Sequence, residues 1–378
     1  MVNGQSSIVN WRVIGRVLGK TAVLFLLLNA LFAWLYPLEA LGKLSLYNRL
    51  LPGRLRLPYG ENPAESYNLS LHNVPAMLAS HAISQPKGAD EFRVLLVGDS
   101  GTWGWFLDNA DTLAGQLNGL GLAAADGRSV RVYNLGYPVM ALSKDLLLLD
   151  AARQTDPDLI LWPVTLESFP RDKQVFPPLV QNNPERLRRL IATYELDLDA
   201  ADGRFVTPTF WQRSLVGQRR SLADWLRLQQ FGFAWAATGI DQTIPAEFEP
   251  RRSDFEADVS WQTFTEPATL TTGDLAFDVL TAGFTLAGDV PVLLINEPMF
   301  ISRGQNSDLR YNSFYPRWAY DQYRAMLAAA AAAHGWPYLD LWDAIPAAEF
   351  SDTPVHLTAV GSKLYADMVA EGIRPFLE

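Results

Sequence analysis

The sequence predicts an α/β fold built on a parallel sheet of about five strands, and three observations point there. Short apolar runs recur along the chain, helix-like stretches separate them, and several of the runs end at Gly, Asn or Asp. That alternation is the pattern of βαβ units, whose strands are buried on both faces and read as continuous apolar runs. The first strand is expected over Phe92-Arg93-Val94-Leu95-Leu96-Val97, ending at Gly98-Asp99-Ser100. The second, Val130-Arg131-Val132-Tyr133, runs into Asn134-Leu135-Gly136. A helix over 141–154 leads to the third, Leu159-Ile160-Leu161-Trp162, and the fourth, Val292-Leu293-Leu294-Ile295, stops at Asn296-Glu297. The fifth is expected between Trp336 and Leu341. Pro316 to His334 reads as a helix with proline in its first turn and Gly335 past its end, the usual pair of stops. A last helix starts at Ala359 and repeats apolar residues at Val360, Leu364, Met368 and Ile373, close to helical spacing.

A chain of 378 residues, 49% of them apolar, has ample material for one large core or two ordinary ones. It contains no cysteine, which excludes disulfides, thiolate catalysis and cysteine-ligated metal sites. The net charge of -10 is unevenly spread. Residues 1–56 hold seven Lys/Arg and one acid, Glu39, leaving 24 basic and 40 acidic residues beyond. So acidic a remainder lacks the basic footprint that nucleic-acid binding needs.

Between Lys20 and Glu39, eighteen residues from Thr21 to Leu38 carry no charge and are rich in Leu, Phe and Ala. At about 1.5 Å per residue a helix of that length is near the minimum that crosses a bilayer. Trp34 and Tyr36 lie near one end, where interfacial anchors sit. A cleaved signal peptide or a buried helix is the competing reading; an uncleaved anchor is the expectation. Cations flank both sides, so the positive-inside rule does not orient it. The resulting division is a tail over 1–20, an anchor over 21–38 in the lipid bilayer, and an irregular stalk over 39–90 with a short helix near 71–83. A catalytic domain over 91–378 follows, with an insertion at 168–288. Within the insertion Pro184–Glu195 and Trp211–Ile240 are amphipathic. The second carries Trp, Phe and Leu on one side and arginines on the other. It reads as a helical cap on the domain, with a membrane-interface helix as the alternative.

Ser100 would sit at a helix N-terminus, where free N–H groups face a developing anion. A serine hydroxyl needs a neighbouring base to become a nucleophile, and imidazole is the usual one near neutral pH. Of the four histidines, His356 alone has an aspartate just ahead, Asp352. His72, His81 and His334 read as structural.

With these two blocks the chain resembles the SGNH/GDSL family of serine esterases and acyltransferases. The resemblance implies a three-layer α/β/α sandwich, a parallel sheet between two helical layers, and an extracytoplasmic catalytic domain behind the anchor. It implies Ser100 as nucleophile, His356 as base and Asp352 as orienting acid, although Asp352-Thr353-Pro354-Val355-His356 has one residue more than the family's Asp-x-x-His. The N–H groups of Ser100 and Gly136 would form the oxyanion hole. The family's third block, Gly-x-Asn-Asp, is absent; its register gives Thr165-Leu166-Glu167-Ser168. Thr165 or Asn296 is then the expected replacement donor, and Glu167 is expected to point away or pair with a cation. Glu297 is a pocket residue or a solvated strand-end carboxylate. Tyr311, Asn312 and Arg317 are sugar-binding residue types, or belong to a plain polar loop. No metal or other cofactor is called for. The expected partner is an ester-bearing small molecule or glycan. The alternatives to hydrolysis are acyl transfer onto a cell-surface glycan, or a non-catalytic glycan-binding or assembly protein on the same fold.

Overall fold

The computed structural model describes residues 11–45, 53–59, 72–238 and 248–378, with the backbone alone over 231–238. One sheet comprises β1 (Glu91–Leu96), β2 (Ser129–Asn134), β3 (Leu159–Val164), β4 (Val292–Asn296) and β5 (Tyr338–Asp340). Its order is β2-β1-β3-β4-β5, and every pairing is parallel. The chain leaves β1 for β2 on one side and continues to β3 on the other. In open α/β sheets, the crevice at the carboxyl ends of such a pair is where ligands bind.

Successive strand residues face opposite helical layers, as a period of two requires. Leu95, Ile160, Trp162, Val292 and Leu294 share a core with helices Val74–Ser80, Leu142–Ala152, Phe277–Ala287 and Arg317–His334. Val94, Leu96, Leu159, Leu161 and Leu293 share the other core with helices Leu113–Gly119 and Ala359–Ile373. The architecture is the three-layer α/β/α sandwich.

The lead-in is more integrated than an irregular stalk. Helix Val74–Ser80 starts at Asn73, whose side chain accepts from the Ala76 N–H, and Leu57 and Met77 are fully buried in the first core. Arg56 donates to the Gly104 carbonyl at 2.8 Å and lies over the Trp103 ring. Isolated apolar residues such as Leu57 give no periodic signal, which is why the segment reads as a stalk in sequence.

The β3–β4 connection is pinched where it leaves and returns. Pro170 pairs with Leu275, Arg171 N–H donates to the Asp274 carbonyl, and Ala276 N–H donates to the Phe169 carbonyl. The excursion is therefore 171–274, shorter than the expected 168–288, and helix Phe277–Ala287 belongs to the layer against the sheet. Helix Pro184–Tyr194 buries Leu187 and Leu190 and exposes Glu185 and Arg189, as its pattern predicts. Helix Arg219–Thr238 buries Leu228, while residues 239–240 and the side chains of Phe231, Phe233 and Trp235 lie outside the described residues.

Ahead of the sandwich runs Trp11–Leu35, the one described helix long and apolar enough to cross a bilayer. Length and composition suit a membrane anchor or a signal sequence. It ends three residues before the expected Leu38. Tyr36 adopts a positive φ of 42°, and Pro37 has no N–H with which to continue the ladder.

Candidate active site

From β1 the chain passes through Val97 and Gly98 to Asp99, which caps helix Ser100–Trp103. Asp99 Oδ1 accepts from the N–H groups of Gly101 at 2.8 Å and Thr102 at 3.4 Å. The cap thus engages two first-turn donors and leaves the Ser100 N–H without an acceptor among the described residues. Gly101 allows a second approach: a Cβ there would stand 2.9 Å from the Val355 carbonyl oxygen. The histidine loop therefore passes directly over the Ser100 turn.

That loop is closed by an antiparallel bridge between Phe350 and Leu357, with Ser351 N–H donating to the His356 carbonyl at 2.8 Å. Thr353 Oγ1 accepts from the His356 N–H at 3.2 Å. The turn absorbs the extra residue and returns Asp352 to the imidazole. Asp352 Oδ1 lies 2.8 Å from His356 Nδ1, and His356 Nε2 lies 2.8 Å from Ser100 Oγ. Burial raises the Asp352 carboxyl, but the hydrogen bond and charge of His356 outweigh it and leave the pKa below the usual value. A carboxylate that stays ionised holds the proton on Nδ1 and frees Nε2 as a base.

Two aromatic residues absent from the predicted site flank the imidazole, and a third backs one of them. Trp105 stacks on His356 with centroids 5.8 Å apart, and Phe106 meets it edge-on at 6.5 Å. Phe106, held at a φ of 61°, stacks in turn on Phe248 at 5.3 Å. The cluster Trp103-Gly104-Trp105-Phe106 just after Ser100 was the available signal.

The expected oxyanion donors fare differently. Gly136 packs so closely that a Cβ would come 2.5 Å from the Trp103 nitrogen, but its N–H donates to Asn134 Oδ1 at 3.0 Å. Asn134 Nδ2 donates to the Thr102 carbonyl at 2.9 Å, so this side chain ties the β2 loop to the Ser100 turn. Asn296 is not available: its Nδ2 donates to Asp340 at 2.9 Å, and its Oδ1 accepts from Tyr320 and Tyr323. Thr165 Oγ1 is 2.9 Å from the Tyr315 hydroxyl. If Tyr315 donates there, Thr165 keeps its own proton to offer. Glu167 pairs with Lys173 and accepts from Gln262 Nε2 at 3.0 Å. Its charge is neutralised by a cation, as expected.

The predicted substrate contacts are internal. Glu297 is buried beside Asp99. Burial first, then the charge of Asp99 and a hydrogen bond with it, push the Glu297 carboxyl well above its usual value. Glu297 Oε1 and Asp99 Oδ2 each lack a conventional donor, and a proton on Glu297 satisfies both. Beneath them Lys144, fully buried, donates to the Gly98 carbonyl at 2.5 Å and the Tyr137 carbonyl at 2.6 Å, and pairs with Asp145 at 2.8 Å. Glu297 therefore supports the turn instead of lining a pocket or meeting solvent. Tyr311 donates to Asp321 at 2.8 Å, and Arg317 lies over its ring while donating to the Ser307 carbonyl. Asn312 is fully buried, donating to the Phe300 carbonyl and accepting from the Phe314 and Tyr315 N–H groups. These three shape the loop; their polar groups serve the fold.

No protein-family model and no curated protein matches the chain. Among solved structures, a carbohydrate acetylesterase family member from Sinorhizobium meliloti is 11% identical, covering 75% of this chain and 98% of its own, at a TM-score of 0.33. The native M. smegmatis aryl esterase is 12% identical, covering 75% and 99%, at a TM-score of 0.34. Likeness this distant carries no argument about chemistry, which rests on the residues above.

Proposed function

We propose that the chain is a membrane-anchored serine hydrolase of the SGNH/GDSL type, cleaving a carboxylic ester through an acyl-serine intermediate. One observation carries the reading: Asp352, His356 and Ser100 form an unbroken line with both links at 2.8 Å. In this mechanism His356 Nε2 takes the Ser100 proton as Oγ bonds to the carbonyl carbon, and the carbonyl electron pair moves onto oxygen. The Ser100 N–H, aided by Thr165 and by Gly136 if it leaves Asn134, receives that charge. Collapse breaks the carbon–oxygen bond to the alcohol, and His356 returns its proton to the leaving alkoxide. Water, deprotonated by the same nitrogen, then attacks the acyl-serine, releases the acid and restores the serine hydroxyl. Asp352 holds the imidazole tautomer throughout. The wall of Trp105, Phe106 and Phe248 supports a substrate with an apolar face, such as an acylated sugar ring or an aryl ester.

The decisive experiment is labelling of the purified full-length protein with a fluorophosphonate probe. The wild type should form a covalent adduct that Ser100→Ala abolishes, and should turn over short-chain aryl esters. A folded wild type showing neither would assign the fold a non-catalytic, binding role.

A further inference from the structure

Most of helix Trp11–Leu35 is exposed, with Leu26, Leu27 and Leu31 at half or more of their full accessibility, yet Asn29 and Ala33 are buried. The excursion packs against this helix through the turn at Trp211–Arg213. Asn29 Oδ1 accepts from the Val216 N–H at 3.1 Å, its Nδ2 donates to the Phe25 carbonyl at 2.9 Å, and Arg213 lies 5.4 Å over the Tyr36 ring. The amide is thus satisfied by protein where hydrocarbon offers it nothing.

This contact has a consequence for depth. Asn29 precedes the helix end by six residues, or about 9 Å. The charge-free part of the helix, Thr21 to Leu35, spans about 22 Å, less than the ~30 Å of a bilayer core. Any crossing therefore uses all of it and puts Asn29 below the membrane surface. Residues bonded to Asn29 are carried to the same level. Those residues are dressed for it: Val206, Phe210, Trp211, Val216 and Leu226 are all exposed. Residues 203–223 hold Arg204, Arg213, Arg219 and Arg220; Arg204 pairs with Asp202 and Arg220 with Asp224, while Arg213 and Arg219 make no ion pair with an acid among the described residues, in a globular part that is otherwise strongly acidic.

We propose that residues 206–227 form a second membrane contact, with Trp211 and its apolar neighbours in the interface and the arginines on anionic lipid headgroups. The assignment rests on the reading of Trp11–Leu35 as an anchor. Interfacial segments of this composition gain from buried apolar area and from attraction to anionic lipid together.

The absence of native cysteine allows a direct test. Leu26→Cys, Trp211→Cys, Val216→Cys and Val360→Cys in the full chain are each labelled with an environment-sensitive fluorophore. The proteins are reconstituted into phosphatidylcholine vesicles, with or without phosphatidylglycerol, containing doxyl-labelled acyl chains. A far-ultraviolet circular dichroism spectrum matching that of the wild type confirms that each variant is folded. The expected result is quenching at 211 and 216 several-fold above that at 360, shallower than at 26, and stronger with phosphatidylglycerol. Quenching at 26 with none beyond the level of 360 at 211 and 216 overturns the second contact while keeping the anchor. No quenching at 26 overturns the anchor and this inference with it. Equal quenching at 211 with and without the anionic lipid overturns the role given to the arginines.

Discussion

Replacing Glu297 by glutamine tests the buried layer under the nucleophile. In the fold this carboxyl keeps its proton well above the usual range, mainly because it is buried and also because Asp99 and Asp145 are nearby, with Lys144 opposing. In the unfolded chain it ionises near pH ~4.3. From there upward the native state binds one more proton than the unfolded state, so stability falls as pH rises, by up to about 1.4 kcal/mol per unit, until the native pKa is passed. His81 acts in the other sense. Burial lowers it to about 4, so its contribution grows from there up to its unfolded value of about 6.5 and then stays constant. In wild type the two slopes nearly cancel over that interval. The difference between variant and wild type removes His81 from the comparison. Glutamine has no proton to lose and keeps a donor for Asp99, so its stability advantage should grow as pH rises above about 4.3, by up to about 1.4 kcal/mol per unit. Urea unfolding in detergent, followed by tryptophan fluorescence at each pH, measures it. A difference independent of pH would mean that Glu297 is ionised in the fold, and the account of the layer would be wrong.

Asp352→Asn should lower kcat for aryl esters by about 10⁴-fold through loss of the correct imidazole tautomer. Because the Asp352 pKa lies below its usual value, the stability it lends wild type is present above about pH 3.9 and is lost as pH falls through the native pKa. Comparing acid unfolding of the variant and wild type checks this, and unchanged turnover would reassign the orienting role. Thr165→Val should reduce kcat by about 10²-fold with KM little changed if its hydroxyl faces the oxyanion. An unaltered kcat would leave that hydroxyl to Tyr315 alone.

The sheet was legible because β1, β3 and β4 are buried on both faces and so appear as unbroken apolar runs. Ser100 and His356 were legible from residue type and order, since each lies beside a turn or cap with a recognisable local signature. Asp352 could be named, but not how the additional residue would fit. That depends on the Phe350–Leu357 bridge, a pairing no spacing rule announces. Asn296 misled because a strand-end amide looks like a free donor. Tyr320 and Tyr323 reach it from a helix far along the chain, and Asp340 from the next strand. Lys144 went unnoticed for a similar reason. A lysine in a helix's first turn usually faces water, and this one is buried because the Gly98 and Tyr137 carbonyls and Asp145 converge on it. Contacts that strand and helix periodicity do not encode decide these cases.

The sequence separation of 256 between Ser100 and His356 also orders events in time. At about 5–20 residues per second, the ribosome needs roughly 13–50 s to reach His356 after making Ser100. Throughout that interval Ser100 is an ordinary alcohol with no partner to accept its proton. The nascent chain thus passes its makers and, if Trp11–Leu35 inserts early, the lipids beside it, while still chemically inert. On the proposed mechanism reactivity would arrive only with the closing loop, when almost all of the domain has already been made.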